Sequence, residues 1–247
     1  MISNSTRFSR LMRGISLVAT LALTTSVAAF AQMSSGSGMS SELQQKLMVL
    51  KQAAAANKQR LKQYQWVETT QITLKGEQKP QRVYQCSYGP DGQVQKVLLG
   101  APPQQEDKRG LRGRIVEKKT DEMKEYMQQV QSLLSMYVPP NPQLMQQAFQ
   151  KKDVSLDKTM GGSGVNLVFK NYAKQGDQMT IGFDTATKKI STINVSTYMD
   201  NPQDAVTLAV QMASLPDGTN YAQQTVLNAT AKQIQVTTNS ANYAKIQ

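Results

Sequence analysis

Glu68 is the carboxylate that the sequence places most clearly on an apolar surface. Along Tyr64-Gln65-Trp66-Val67-Glu68-Thr69-Thr70-Gln71-Ile72-Thr73-Leu74 the even positions are Tyr, Trp, Glu, Thr, Ile and Leu, while the odd positions are mostly Gln and Thr. That alternation is a strand with one buried face, and Glu68 falls on it. A carboxylate there reads either as a polar anchor or proton-holding acid inside a cavity, or as a rim residue or a satisfied ion pair. Cys86 is the one cysteine, within Val83-Tyr84-Gln85-Cys86-Ser87-Tyr88. It reads as a small strand side chain in or near the core, with an intermolecular bridge as the alternative in an oxidising compartment.

The remaining chemistry is narrowed by what the chain lacks. With no histidine in 247 residues there is no Ser-His-Asp or Cys-His catalysis, no His-ligated zinc and no imidazole base. With one cysteine there is no intramolecular disulfide and no Cys-rich metal site. Most other carboxylates fall at turns or helix starts, and neither a Glu68-centred acid nor a Ser/Lys arrangement comes with a motif. Gly161-Gly162-Ser163-Gly164 invites a phosphate-loop reading, but no Lys-Ser or Lys-Thr follows. The next residues, Val165-Asn166-Leu167-Val168-Phe169, have the composition of a strand rather than of a helix that could hold phosphate at its N-terminus. The sequence therefore names no catalytic residue, no metal ligand and no cofactor, and the expected function is not an enzymatic one.

The elements that must position Glu68 follow from changes of period. Leu43, Leu47, Leu50, Ala54 and Leu61 recur at helical spacing, which predicts a helix from about Ser41 to Gln63. Three strands follow over residues 64–99, the second (about Gln81 to Tyr88) and third (about Gln93 to Leu99) joined by the turn Gly89-Pro90-Asp91-Gly92. Gly100 to Arg114 has no period and reads as a crossing loop. A helical insertion occupies 115–150: a first helix to about Met136 with Met123, Met127, Val130 and Leu134 on one side, a stop at Val138-Pro139-Pro140, and a second helix entered at Asn141-Pro142 that carries Leu144, Met145, Ala148 and Phe149. Lys151 to Gly164 reads as a connection. A meander then runs over 164–238 as Val165 to Tyr172, Gln178 to Phe183, Lys189 to Met199, Ala205 to Ala213, Tyr221 to Leu227 and Lys232 to Thr238. Met179, Ile181 and Phe183 share one face, and a one-sided sheet of this length must be covered or closed.

The N-terminus speaks to location. Arg7, Arg10 and Arg13 precede an uncharged run from Gly14 to Phe30 that ends in Ala29-Phe30-Ala31, the pattern of a secretory signal peptide over residues 1–31. The run is short and rich in Thr and Ser for a membrane span, so an uncleaved anchor is the lesser reading. No cysteine follows the expected cleavage site, so no lipid anchor is expected there. Residues 32–40 have the composition of a flexible linker, and residues 41–247 suit a single domain. The mature chain keeps 25 Lys and Arg against 17 Asp and Glu, a net charge of +8. These charges are dispersed among Gln, Thr and Asn without interleaved aromatics, which argues against nucleic acid and leaves contact with an anionic membrane surface open. No transmembrane span is expected in the mature chain, and the expected compartment is the periplasm.

The order of an exported N-terminal helix, three antiparallel strands, a helical insertion and a meander resembles the periplasmic lipoprotein carrier LolA family. The resemblance covers about Ser41 to Thr238 and implies an α+β fold in which a curved antiparallel sheet, an incomplete barrel, is lidded by helices and holds acyl chains on its concave side. The helices face the one-sided sheet with a surplus of Met, Leu and aromatic residues. Together with the resemblance this predicts a binder or carrier of a lipid or lipoprotein acyl chain in an apolar groove. Candidate groove residues are Trp66, Glu68, Ile72 and Leu74 on the first strand, Met123, Met127, Met145 and Phe149 on the helices, and Met179, Ile181 and Phe183 on the meander. Most of them would serve equally as core. The alternative is an interaction module of the cell envelope, binding another envelope protein through an open sheet edge or the helical insertion.

Overall fold

The computed structural model describes residue 52 and residues 55–100, 111–158, 164–187 and 189–246. Within these the chain is an α+β structure built on one curved, open antiparallel sheet of eleven strands. In chain order the strands are β1 (Tyr64–Leu74), β2 (Glu77–Gln78), β3 (Arg82–Tyr88), β4 (Val94–Leu99), β5 (Val154–Lys158), β6 (Gly164–Lys170), β7 (Gln178–Asp184), β8 (Lys189–Tyr198), β9 (Ala205–Ser214), β10 (Asn220–Ala229) and β11 (Ile234–Lys245). A helical stretch at 55–61, here α1, precedes them, and α2 (Leu111–Leu134) and α3 (Pro142–Gln150) are inserted between β4 and β5. The order across the sheet is β4-β3-β1-β11-β10-β9-β8-β7-β6-β5, with the two-residue β2 paired to β1.

The pairing of β1 with β11 joins the N-terminal hairpin to the meander. It runs the full length of β1, from Tyr64 opposite Lys245 to Leu74 opposite Ile234. β11 therefore extends seven residues beyond the expected end at Thr238, through Asn239, Ser240 and Asn242, whose polar types break the alternation that marks a strand. Two further strands escape the pattern. β2 is too short to show a period, and β5 lies at the sheet edge within the expected connection, where Val154 is half-buried and Leu156 exposed. The inserted helix begins at Leu111, so residues 111–114 are helical rather than part of the crossing loop. The expected helix from Ser41 and the glycine cluster at 161–163 lie largely outside the described residues.

The core is one-sided. On the inner face Phe169, Met179, Ile193, Val206 and Leu208 are fully buried and pack with Val130, Leu134 and Tyr137 of the insertion. Asn141 caps α3 as its sequence predicts: the side-chain oxygen accepts from the amides of Gln143 (2.9 Å) and Leu144 (3.4 Å), and Pro142 occupies the first turn. The end of α2 is tied to the sheet by polar groups as well as packing. Asp177, in the β6–β7 hairpin, accepts from the amides of Tyr172 (2.5 Å), Ala173 (3.0 Å) and Lys174 (2.7 Å) and from the Tyr137 hydroxyl (2.5 Å). The same hydroxyl lies 2.7 Å from Thr197 Oγ1 on β8. A buried carboxylate with four donors is fully satisfied, so it fixes the helix end instead of weakening the core.

Candidate functional site

The site candidate is the inner face of β1, β3, β4 and β11, beside the helix-covered core. The turn Gly89-Pro90-Asp91-Gly92 sets its register: Gly89 donates to the Gln93 carbonyl (2.8 Å), and Asp91 Oδ1 accepts from the Gln93 amide (2.9 Å). Gly92 takes φ +72°, a conformation that a side chain would strain. With that register Trp66 stands opposite Cys86 and Cys86 opposite Lys96, while Glu68 stands opposite Tyr84 and Tyr84 opposite Leu98. On the other flank Glu68 faces Ser240 and Thr70 faces Thr238 of β11. Every one of these side chains belongs to the same face, because strand side chains alternate.

A bulge in β11 completes the cluster. Gln65 pairs Ala244 and Val67 pairs Ala241, so Asn242 and Tyr243 together oppose Trp66, and Asn242 adopts φ +55°. A bulge re-aims the residue beside it. Here the Tyr243 ring lies nearly parallel to the Trp66 indole, with centroids 5.5 Å apart and planes at 10°. Tyr88 is tilted against the Trp66 ring with centroids 5.6 Å apart, and Tyr221 meets Tyr243 at 4.3 Å. Burial holds the Tyr88 hydroxyl up at about 12 and raises that of Tyr243 as well.

At the centre Lys96 Nζ donates to Glu68 Oε1 as a buried ion pair, the lysine and glutamate side chains being 8% and 2% exposed. Thr70 Oγ1 adds a longer bond to the same oxygen at 3.4 Å. Glu68 is thus an ion-pair partner and not a rim residue. Its second oxygen, Oε2, is buried without a hydrogen-bond partner, and so is Nε1 of Trp66. Cys86, between them and Lys96, is fully buried; burial pushes its thiol up to about 12, with the Glu68 charge adding to the effect. A thiol held neutral is neither a nucleophile nor a metal ligand. Among the described residues no group of three His, Cys, Asp or Glu is placed to hold a metal.

The other groove candidates lie elsewhere on the inner face. Met127, Met179 and Ile181 are buried inside the core under the insertion. Ile72, Leu74, Met123, Met145 and Phe149 are half-buried against that core, and Phe183 is half-buried on β7. The sequence-derived set therefore divides into two neighbouring parts, the packed sheet–insertion region and the Trp66–Glu68 cluster. Sequence reading missed Lys96, Tyr84, Tyr88, Ser240 and Tyr243 as partners in that cluster. The β3–β4 turn could have supplied Lys96, since a hairpin turn fixes register. Nothing local could have supplied Ser240 and Tyr243, which arrive from 172 and more residues away through the β1–β11 pairing.

No helix among the described residues is long and apolar enough to cross a membrane. Comparison with protein families finds no match, and no curated protein matches the sequence. Among solved structures the chain is similar to the crystal structure of a DUF1329 family protein from Desulfovibrio piger, with 9% identity, a TM-score of 0.41, and coverage of 81% of this chain and 92% of that one. A likeness at that level carries no argument about chemistry.

Proposed function

We propose that this is an exported, periplasmic binding protein without enzymatic activity, which holds an amphipathic molecule, a lipid or a lipoprotein acyl chain, on the inner face of its sheet between the strands and the helices. One observation carries the reading. Beside a conventional apolar core the inner face holds an aromatic cluster around Trp66 in which two polar atoms are buried with no protein partner. Polar atoms left over in an aromatic surrounding suit a ligand that brings both an apolar body and a polar group. The half-buried Met123, Met145 and Phe149 at the margin of the roof offer adaptable surface for an acyl chain. Native mass spectrometry of the protein recovered from cells, followed by lipid extraction, tests this. A stoichiometric adduct of lipid mass supports it, and a chain that is ligand-free from every membrane-containing preparation contradicts it.

A second reading, an interaction module for another envelope protein, rests on the edge strand β4. Val97 and Leu99 there are 65% and 44% exposed at the end of the sheet order, and an open apolar edge is a template for strand addition. Cross-linking through a cysteine introduced at Val97 separates the readings: one stoichiometric protein partner favours this one.

A further inference from the structure

Trp66 Nε1 and Glu68 Oε2 are complementary orphans. An unpartnered buried polar group costs on the order of 1–3 kcal/mol, and folded proteins leave few of them. Here two occur on one face of one strand, two residues apart, which places their Cα atoms roughly 7 Å from each other. The indole N–H can only donate, and a carboxylate oxygen can only accept. A group that serves both must accept and donate at once.

That requirement sorts the ligand classes. A ligand carboxylate would accept from Trp66 and approach Lys96 but would set like charge against Glu68. An ammonium would donate to Glu68 but could not accept from Trp66, and it would face Lys96. An ester or hydrocarbon supplies no donor. A hydroxyl both accepts and donates, and it adds no charge to a site whose one ion pair is already balanced.

We infer that Trp66 and Glu68 form a subsite for an uncharged, hydroxyl-bearing head group, of the glycerol or sugar type, on the amphiphile. The inference rests on the binding function proposed above and names the ligand class for that site. Lys96 holds the Glu68 carboxylate in place through Oε1 and leaves Oε2 as the oxygen without a protein partner.

The test compares 1-monodecanoylglycerol with methyl decanoate, two ligands of equal chain length that differ in hydroxyls, by calorimetric titration of the mature chain below their critical micelle concentrations. The monoacylglycerol is expected to bind about tenfold more tightly, the equivalent of 1.4 kcal/mol, and Trp66→Phe is expected to bring the ratio to within about twofold. Trp66 is the single tryptophan of the chain. In the unsubstituted protein its emission should therefore change on binding the monoacylglycerol and much less with the methyl ester, a readout that does not depend on the variant folding. Equal affinity for the two ligands, or a hydroxyl preference that survives Trp66→Phe, overturns the subsite while leaving acyl binding in place. Binding of neither ligand overturns the proposed function as well.

Discussion

Lys96 and Glu68 sit on strands that are not neighbours, β4 and β1 with β3 between them, and their side chains meet as a buried ion pair. The lysine spans one strand to do so. Its charge leaves water only because a carboxylate is waiting, and the carboxylate is tolerated on an aromatic face only because the lysine arrives.

Removing either partner alone should therefore be costly. Lys96→Met and Glu68→Gln are each expected to lower unfolding free energy by about 3–5 kcal/mol, because a charge stays buried without its counterpart. The double replacement Glu68→Leu with Lys96→Met should cost less than either single change. Urea unfolding followed by circular dichroism measures this, and single losses under about 1 kcal/mol would mean that solvent reaches the pair as it does a surface one.

Asp177 should be the anchor of the roof. Asp177→Ala removes the acceptor of three amides and of the Tyr137 hydroxyl, and a loss of about 3 kcal/mol is expected, with faster hydrogen exchange at Tyr172, Ala173 and Lys174. Tyr137→Phe should cost about 2 kcal/mol while leaving exchange at those three amides slow. Exchange mass spectrometry with fragment resolution distinguishes the two patterns.

Cys86 should be inert in the folded protein. A thiol pushed up to about 12 is thiolate to only about one part in ten thousand at pH 8, and the thiolate is the reactive form. Iodoacetamide is expected to leave Cys86 unmodified at pH 8 and to modify it fully in denaturant. Rapid alkylation of the native chain would show that the strand face around Trp66 opens to solvent.

Alkaline stability should fail late and together. Burial raises Tyr88, Tyr126, Tyr137, Tyr172 and Tyr243, with Asp204 adding to the effect at Tyr126 and Asp177 at Tyr137, and the Asp217 hydrogen bond raises Tyr64. Folded values above the ordinary 10 mean that the contribution of these neutral hydroxyls is fully present below pH 10. It is lost as pH rises through 10 and on past the value of about 12 at Tyr88. Tyrosinate absorbance should show these six of the nine tyrosines ionising with unfolding, as one cooperative step; six independent titrations near pH 10 would contradict their burial.

How much of this was legible beforehand depends on range. The alternation through Tyr64 to Leu74 placed Glu68 and Trp66 on the buried face, the Asn141-Pro142 entry of α3 was read from two residues, and the hairpins of the meander from their turns. Those are local signals. The cluster around Trp66 is not local: the β11 bulge that turns Tyr243 onto Trp66 lies in a polar stretch, Asn239 to Asn242, whose residue types hide a strand. Lys96 carries no local signal of its burial because its partner is on another strand, and no periodicity reports that. The division of the groove candidates between the packed sheet–insertion region and a polar aromatic cluster is likewise set by packing, which residue type alone does not reveal.

The central claim is that an amphipathic ligand sits against the inner face beside Trp66. Energy transfer from this single tryptophan to a monoacylglycerol carrying a dansyl group at the chain end tests it most directly, because donor position is fixed by the fold. Saturable quenching of Trp66 at about one ligand per chain, reversed by an unlabelled monoacylglycerol, is the predicted result. Tryptophan emission that stays constant throughout the titration, or that falls without saturating, would contradict the account.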